Sequence, residues 1–364
     1  MLQQYFETLS DPRQRHKIQH NLLEIVIMTI CAVVAECEAW YQIEHYCQSK
    51  KSWFRKHLGL KLANGIPSHD TFERVFALID PQELEACFFS WTSAVSQLTK
   101  GEIVSIDGKT IRGSKGAETK AIHLVSAWAN KNRMVLGQVK TDEKSNEITA
   151  IPTLIELLDL RGCIVTIDAM GCQKTIARAI VEKEADYVFG LKGNQSSLHE
   201  DVKLYFESEK ISEQVTTKEK GHGRVETREY FLETEIDWLW QKPEWTGLRA
   251  IGAVKSSVWE KDILREETRY FITSLTDVRT FSEAVRGHWG IENSLHWVLD
   301  VAFREDASRI RKDNSGVNFA VVRRIALNLL KKDGAKMSIK AKRHRCAYED
   351  DYLWKILFRS SRKP

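Results

Sequence analysis

Hydrophobic and polar positions change their period three times along the chain. From Leu22 onward apolar residues recur at helical spacing, beginning with the dense run over residues 22–35, and residues 1–98 read as helical. Ser10-Asp11-Pro12 reads as a helix start, and Pro67-Ser68-His69-Asp70 ahead of Phe72, Val75, Phe76 and Leu78 predicts a short helix that ends before Pro81. Short helices joined by such a turn fit a helix-turn-helix DNA reader or a plain bundle. The lack of a basic recognition face favours the bundle.

From residue 103 the pattern turns to strands. Segments 103–112, 121–129 and 133–141 read as an antiparallel meander, and a helix follows over 151–160 with Pro152 in its first turn. A strand at 163–168, a helix at about 173–184 and a strand at 187–191 complete a right-handed α/β crossover. Three strands, helix, strand, helix, strand is the order of a ribonuclease-H-like α/β fold. Residues 195–275 interrupt it with alternating segments at 226–236, 249–258 and 268–273, which read as a β-rich insertion. Helical patterning resumes near residue 281, runs to 299, and returns over 317–332. The expected organisation is a helical unit over 1–98, a catalytic unit over 99–332 and a basic tail over 333–364.

At 364 residues, 43% hydrophobic and 29% charged, the composition is that of a soluble globular protein with about two or three domains. The run at 22–35 contains Glu24 and falls short of the roughly 20 residues of a membrane span, so a buried helix is expected and no membrane partner. Seven cysteines without a CxxC pair, and no signal-peptide pattern at Met1, point to reduced core thiols in a cytoplasmic protein. Net charge is +4, yet residues 331–364 hold eleven Lys and Arg against four Asp and Glu. Such a surplus among aromatics suits a polyanion such as DNA, or else marks a solvated amphipathic helix.

Two apolar runs each end in an aspartate before a turn: one at Asp107-Gly108, one at Asp168-Ala-Met-Gly171. Singly, each is an ordinary turn signal. In strands one and four of a ribonuclease-H-like order they become neighbours, and two carboxylates at one sheet edge begin a divalent-metal site. Glu292, opening the helix after the insertion, is the natural third ligand. His288, Glu292 and His296 also fall on one helical face, an arrangement open to zinc. Asp300, Glu305 and Asp306 nearby read as a solvated face paired with Arg304, Arg309 and Arg311, or as assistants to the third ligand. Lys109, Arg112, Lys192, Asn194 and Gln195 follow strand ends and are candidate phosphate or base contacts. His222, Arg224 and Arg228 share one side of a strand, where they grip phosphate or simply edge an exposed hairpin.

The segments IDGKTIRG (106–113), TDEKSNEITAIP (141–152), TIDAMGCQK (166–174), KGNQ (192–195), GHGRVETRE (221–229) and RGHWGIENSLHWVLDVAFREDASRIR (286–311) resemble the DDE-class insertion-sequence transposases, most closely the H-repeat-associated group. The resemblance covers almost the whole chain in order. It implies a ribonuclease-H-like catalytic domain with a β-rich insertion behind a helical associated domain. It further implies cleavage and strand transfer of double-stranded DNA at element ends, dependent on Mg2+ with Mn2+ as substitute, by at least a dimer in the synaptic complex. The triad it implies is Asp107, Asp168 and Glu292. Relatives carry Tyr, Arg and Lys around the glutamate where this chain has Val285, His288 and Leu299, so Arg286, His288, Asn293 and His296 are expected to share the grip on DNA ends. The alternatives are a domesticated DNA-binding relative without turnover and a metal-dependent nuclease without strand transfer.

Overall fold

Asn21 turns its side-chain oxygen onto the Glu24 amide and so starts the first long helix. Helices α1 (Leu22–Val34), α2 (Trp40–Ser49), α3 (Lys51–Trp53), α4 (His69–Leu78) and α5 (Pro81–Val95) form the N-terminal part. Asp80 caps α5 and Pro81 occupies its first turn, where a missing N–H costs nothing. The structure is a computed structural model that describes residues 2–116, 120–141, 147–209, 213–221, 224–260 and 263–358.

Strands β1 (Ile103–Ile111), β2 (Ile122–Ala129) and β3 (Met134–Lys140) form the expected meander. Next come α6 (Glu147–Leu157), β4 (Ile164–Ile167), α7 (Lys174–Glu182), β5 (Asp186–Leu191) and α8 (Ser196–Ser208). Four long strands follow, β6 (Gln214–Gly221), β7 (Arg224–Glu233), β8 (Ala250–Glu260) and β9 (Ile263–Thr273). The chain ends in α9 (Val278–Ile291), a π-helical turn over Glu292–His296, α10 (Trp297–Phe303), α11 (Ser315–Lys332), α12 (Ile339–Tyr348) and α13 (Asp350–Phe358).

The strands of the described residues join one nine-stranded sheet of order β3-β2-β1-β4-β5-β9-β8-β7-β6. Its first five strands have the ribonuclease-H-like order, with β1, β4 and β5 parallel. The insertion extends the same sheet, because β9 pairs antiparallel with β5. Period-two alternation divides the central strands: Val104, Ile106, Val165 and Ile167 pack with α6 and α7, while Ile164 and Val188 face Phe281 and Ala284 of α9.

The sequence expectations differ at four places. α8 lies inside a segment read as β-rich, because its apolar positions Leu198, Val202 and Phe206 follow helical spacing that the charged residues between them obscure. Pro152 sits inside α6, beyond the first turn. Asp107 does not end its strand at a turn, since β1 continues to Ile111 and Asp107 pairs with Ser126. Gly108 serves a close approach instead: a β-carbon there would overlap the Glu147 carboxylate, which meets His123 Nε2 at 2.7 Å.

The segment expected as a basic tail contains α12 and α13, which pack on the helical part. Arg343 is buried, and its guanidinium donates to Val33 O at 2.7 Å and meets Glu38 at 2.6 Å. Lys342 is buried as well and donates to Leu330 O at 3.1 Å. These two cations satisfy carbonyls and carboxylates inside the protein, so they are unavailable to a polyanion.

α1 and α11 are buried almost all round and pack on each other at the centre of the helical layer. Asn328 of α11 exchanges two bonds with the Val135 backbone, each 2.8 Å, and so covers the β3 edge of the sheet. The seven cysteines are buried and free. Among the described residues no helix is long and apolar enough to cross a membrane.

Candidate functional site

The parallel register sets the site. Ser105 lies opposite Thr166 and Ile106 opposite Ile167, so period-two alternation puts Asp107 and Asp168 on the same face as Ser105 and Thr166. That face lies under α9. Thr166 Oγ1 donates to Ser105 Oγ at 3.1 Å and lies 3.0 Å from His288 Nδ1, while Ser105 Oγ reaches Gly287 O at 3.4 Å. Two glycines let the helix come so close. A β-carbon on Gly287 would stand 3.0 Å from the Ile103 side chain, and one on Gly290 would overlap the Asn130 amide. The Asn130 amide in turn donates to Ile103 O and to Ser105 Oγ, each at 3.1 Å.

After α9 the helix widens into the π turn Glu292–His296, a rare geometry that concentrates at functional sites. It brings Glu292 and His296 onto Asp107. His296 Nδ1 lies 3.5 Å from Asp107 Oδ2 and 3.7 Å from Glu292 Oε2. One potential ligand atom from each of the three residues lies within 4.8 Å of the others. Side-chain exposure is 6% for His296, 16% for Asp107 and 54% for Glu292, so the group opens to solvent on the Glu292 side.

Burial pushes the Asp107 carboxyl upward, and the Glu292 carboxylate beside it adds to the shift. The His296 imidazole facing Glu292 holds that carboxyl low against its partial burial. Among the described residues no Lys or Arg forms an ion pair with either carboxylate. Two converging carboxylates without a Lys or Arg partner are electrostatically incomplete, and an oxygen-rich group with one imidazole suits a divalent ion.

Asp168 stands outside this group. It is exposed just past the end of β4, and its Oδ1 accepts from the Met170 amide at 3.0 Å and more weakly from Gly171 at 3.4 Å. Asn194 donates to Ala169 O at 2.7 Å and Gln195 to Cys172 O at 3.0 Å. These two amides, expected as nucleic-acid contacts, brace the Asp168 loop.

Other expectations change with the packing. Lys109, expected on phosphate, is only 8% exposed and its ammonium lies 2.8 Å from Asp300 and 3.2 Å from Asp306. Asp300 and Asp306 are thus taken up by a lysine two residues beyond Asp107 on the same strand face. Glu305 is fully buried against Arg324 at 2.8 Å and belongs to no solvated face. His288 does not join Glu292 and His296 as the helical spacing suggested. It is held at Thr166, and desolvation lowers its imidazole pKa although Asp168 and Glu292 pull the other way. His296, expected on DNA, is buried against the carboxylates.

Arg112 is largely exposed, with Nε 3.4 Å from Asp306. Arg286 is clamped bidentately on Glu219 of β6 at 2.8 and 3.1 Å, and Arg228 pairs with Glu226 at 2.5 Å. Lys192 and Asn293 are exposed. Arg224 begins β7 but its side chain lies outside the described residues, as does His222.

A cleft of about 630 Å³ runs from Asp168 between α9 and the insertion strands. Lys192, Arg228 and Arg286 line it, together with Arg265 and Arg269, which sequence reasoning passed over. Their signal is faint: charge alternates over Arg265, Glu267 and Arg269, but only the β9–β5 pairing turns that strand toward Asp168. Arg269 lies over the Trp289 ring, 5.4 Å from its centroid.

A family model described as Transposase DDE domain matches residues 74–329, and one described as DDE_Tnp_1-associated matches residues 3–92. The chain is 43% identical over 366 residues to "Putative transposase YncI" of Escherichia coli O157:H7, covering 97% of this chain and 93% of that one. It is 37% identical over 372 residues to "H repeat-associated putative transposase YhhI" of Escherichia coli strain K12, covering 98% and 97%. A chain of a piggyBac transposase synaptic complex with hairpin DNA aligns with TM-score 0.44 at 11% identity, over 96% of this chain and 77% of that one.

Proposed function

Because the chain belongs to the DDE transposase family, we propose that it cleaves double-stranded DNA at the ends of an insertion sequence and joins the freed 3′ ends to target DNA. The observation that carries this reading is the convergence of the Asp107 and Glu292 carboxylates with no Lys or Arg paired to either among the described residues. Their carboxylates fit a divalent ion, for which the family resemblance implies Mg2+ with Mn2+ as substitute, and Asp168 on the same sheet face is the third acid of the site. A divalent ion held there would supply charge neutralisation at the scissile phosphate and would lower the pKa of the attacking water in cleavage or 3′-hydroxyl in joining.

The chain's own residues do the rest. Asp107, on a strand with both edges paired next to it, and Glu292, on the π turn, bind from two rigid elements, which limits the reorganisation needed during reaction. The Asp168 carboxylate is oriented by two backbone amides and faces the cleft. Lys192 and Arg265 along the cleft neutralise the DNA backbone, and this attraction weakens with salt. The working complex is a dimer or larger, since two element ends must be held together.

Purified protein incubated with the element's terminal repeats and Mg2+ or Mn2+ tests the proposal. Joined products are expected. Nicks without joining point to a nuclease, and a stable complex without cutting points to a domesticated binder. Full cleavage by Asp168→Ala or Glu292→Gln removes the site assignment.

A further inference from the structure

His296 is an unexplained expense. Its ring is 94% buried, counting from its 6% side-chain exposure, and Nε2 has no hydrogen-bond partner among the described residues. An apolar side chain would fill the same place without burying a ring whose nitrogens lack normal hydrogen bonds. The polar groups that its Nδ1 faces are the Asp107 and Glu292 carboxylates, at 3.5 and 3.7 Å. These distances exceed the roughly 2.7–3.2 Å of a normal N–H···O bond, so the ring is not committed to either carboxylate. Ligand atoms about 2.0–2.2 Å from a shared ion stand roughly 3.0–3.5 Å apart at octahedral or tetrahedral angles, close to the separations seen here. The π turn that presents His296 with Glu292 is a second mark of function at the same four-residue spacing.

We infer that His296 is a direct ligand, through Nδ1, of the cation that Asp107 and Glu292 hold, so that the site takes a first-row transition ion such as Mn2+ in preference to Mg2+. This rests on the proposed metal-dependent reading of the same site. Imidazole nitrogen is a good ligand for transition ions and a poor one for Mg2+, which keeps to oxygen. His288 does not join the cluster of ligand atoms that Asp107, Glu292 and His296 form among the described residues.

The test uses the full chain without DNA. Mn2+ is titrated and followed by electron paramagnetic resonance, and pulsed measurements detect nitrogen coupled to the bound ion. Wild type is expected to show 14N coupling, replaced by 15N coupling when histidine alone is 15N-labelled, a readout that needs no substitution. His296→Gln is expected to lose the coupling and at least about tenfold in Mn2+ affinity, with a smaller change for Mg2+. His288→Gln is expected to keep the coupling. Mn2+ bound without nitrogen coupling, or with coupling that survives His296→Gln, overturns the inference and leaves the two-carboxylate reading standing. Absence of Mn2+ binding in wild type, or binding untouched by Asp107→Asn, overturns both.

Discussion

Two acidic clusters share one face of β1, and they are built to opposite rules. At Lys109 the carboxylates of Asp300 and Asp306 share one buried ammonium, with Arg112 Nε also 3.4 Å from Asp306, and close by Glu305 is matched by Arg324 with neither side chain exposed. At Asp107, two residues earlier, a second carboxylate and an imidazole converge and no ammonium or guanidinium pairs with them among the described residues. The first cluster is electrostatically complete and ties β1 to the segment after Glu292. The second is incomplete, and the missing charge is what a metal ion would bring. Acidic residues crowded near a candidate site therefore divide by their partners: compensated ones hold the frame, uncompensated ones hold the ligand.

The largest effect expected from breaking this contrast is on activity. Glu292→Gln or Asp107→Asn should lower strand cleavage by about a thousandfold or more, equal to about 4 kcal/mol of transition-state stabilisation. Their urea midpoints should equal or exceed wild type, because burying the Asp107 carboxyl beside Glu292 is unfavourable and the substitution relieves it. Arg324→Met should act in the opposite sense, since it strands the Glu305 charge in the core. A loss of about 3–5 kcal/mol in urea unfolding is expected. Lys109→Met releases carboxylates that already reach solvent, so the loss should be nearer 1–2 kcal/mol.

A smaller effect is geometric. Gly290→Ala should press the Asn130 amide and lift α9 from β1, costing about 1–2 kcal/mol by thermal or urea unfolding. Cleavage should fall further than that stability loss explains, because Glu292 moves away from Asp107.

The smallest effect is in the pH dependence of metal-free stability. The folded Asp107 carboxyl titrates above its unfolded value, so between those two values the native state binds more protons and stability falls as pH rises. Asp107→Asn should remove this slope, of order 1 kcal/mol per pH unit, as shown by subtracting its urea unfolding curves from those of wild type across that range. A slope that persists in the variant, or that runs upward with pH, would place the raised proton elsewhere.

Much of the architecture was legible from local pattern. The meander at β1–β3, the two α/β repeats and the return to helix near residue 281 follow from apolar period, and period needs no knowledge of partners. α8 escaped because its three buried positions are set among charges. Asp-Gly at 107–108 looked like a turn, yet β1 continues because the glycine makes room for Glu147 and His123, residues distant in sequence. Lys109 and Asn194 looked like ligand contacts for the same reason in reverse: their partners Asp300, Asp306 and Ala169 are named only by the fold. His296 was visible at four residues from Glu292, but regular helical spacing gave His288 an equal claim.

The sequence by itself therefore determined the order of elements, the family and the presence of acids at Asp107, Asp168 and Glu292, since each of these is written in local period or in contiguous motif. The tertiary structure alone decided which charges are spent. It gave Lys109 to Asp300 and Asp306, drew His296 onto Asp107 and left Asp168 apart on the same sheet face. The physical reason is that compensation of a buried charge depends on distances between residues far apart along the chain, and the packing of α9 and its π turn on β1 sets those distances.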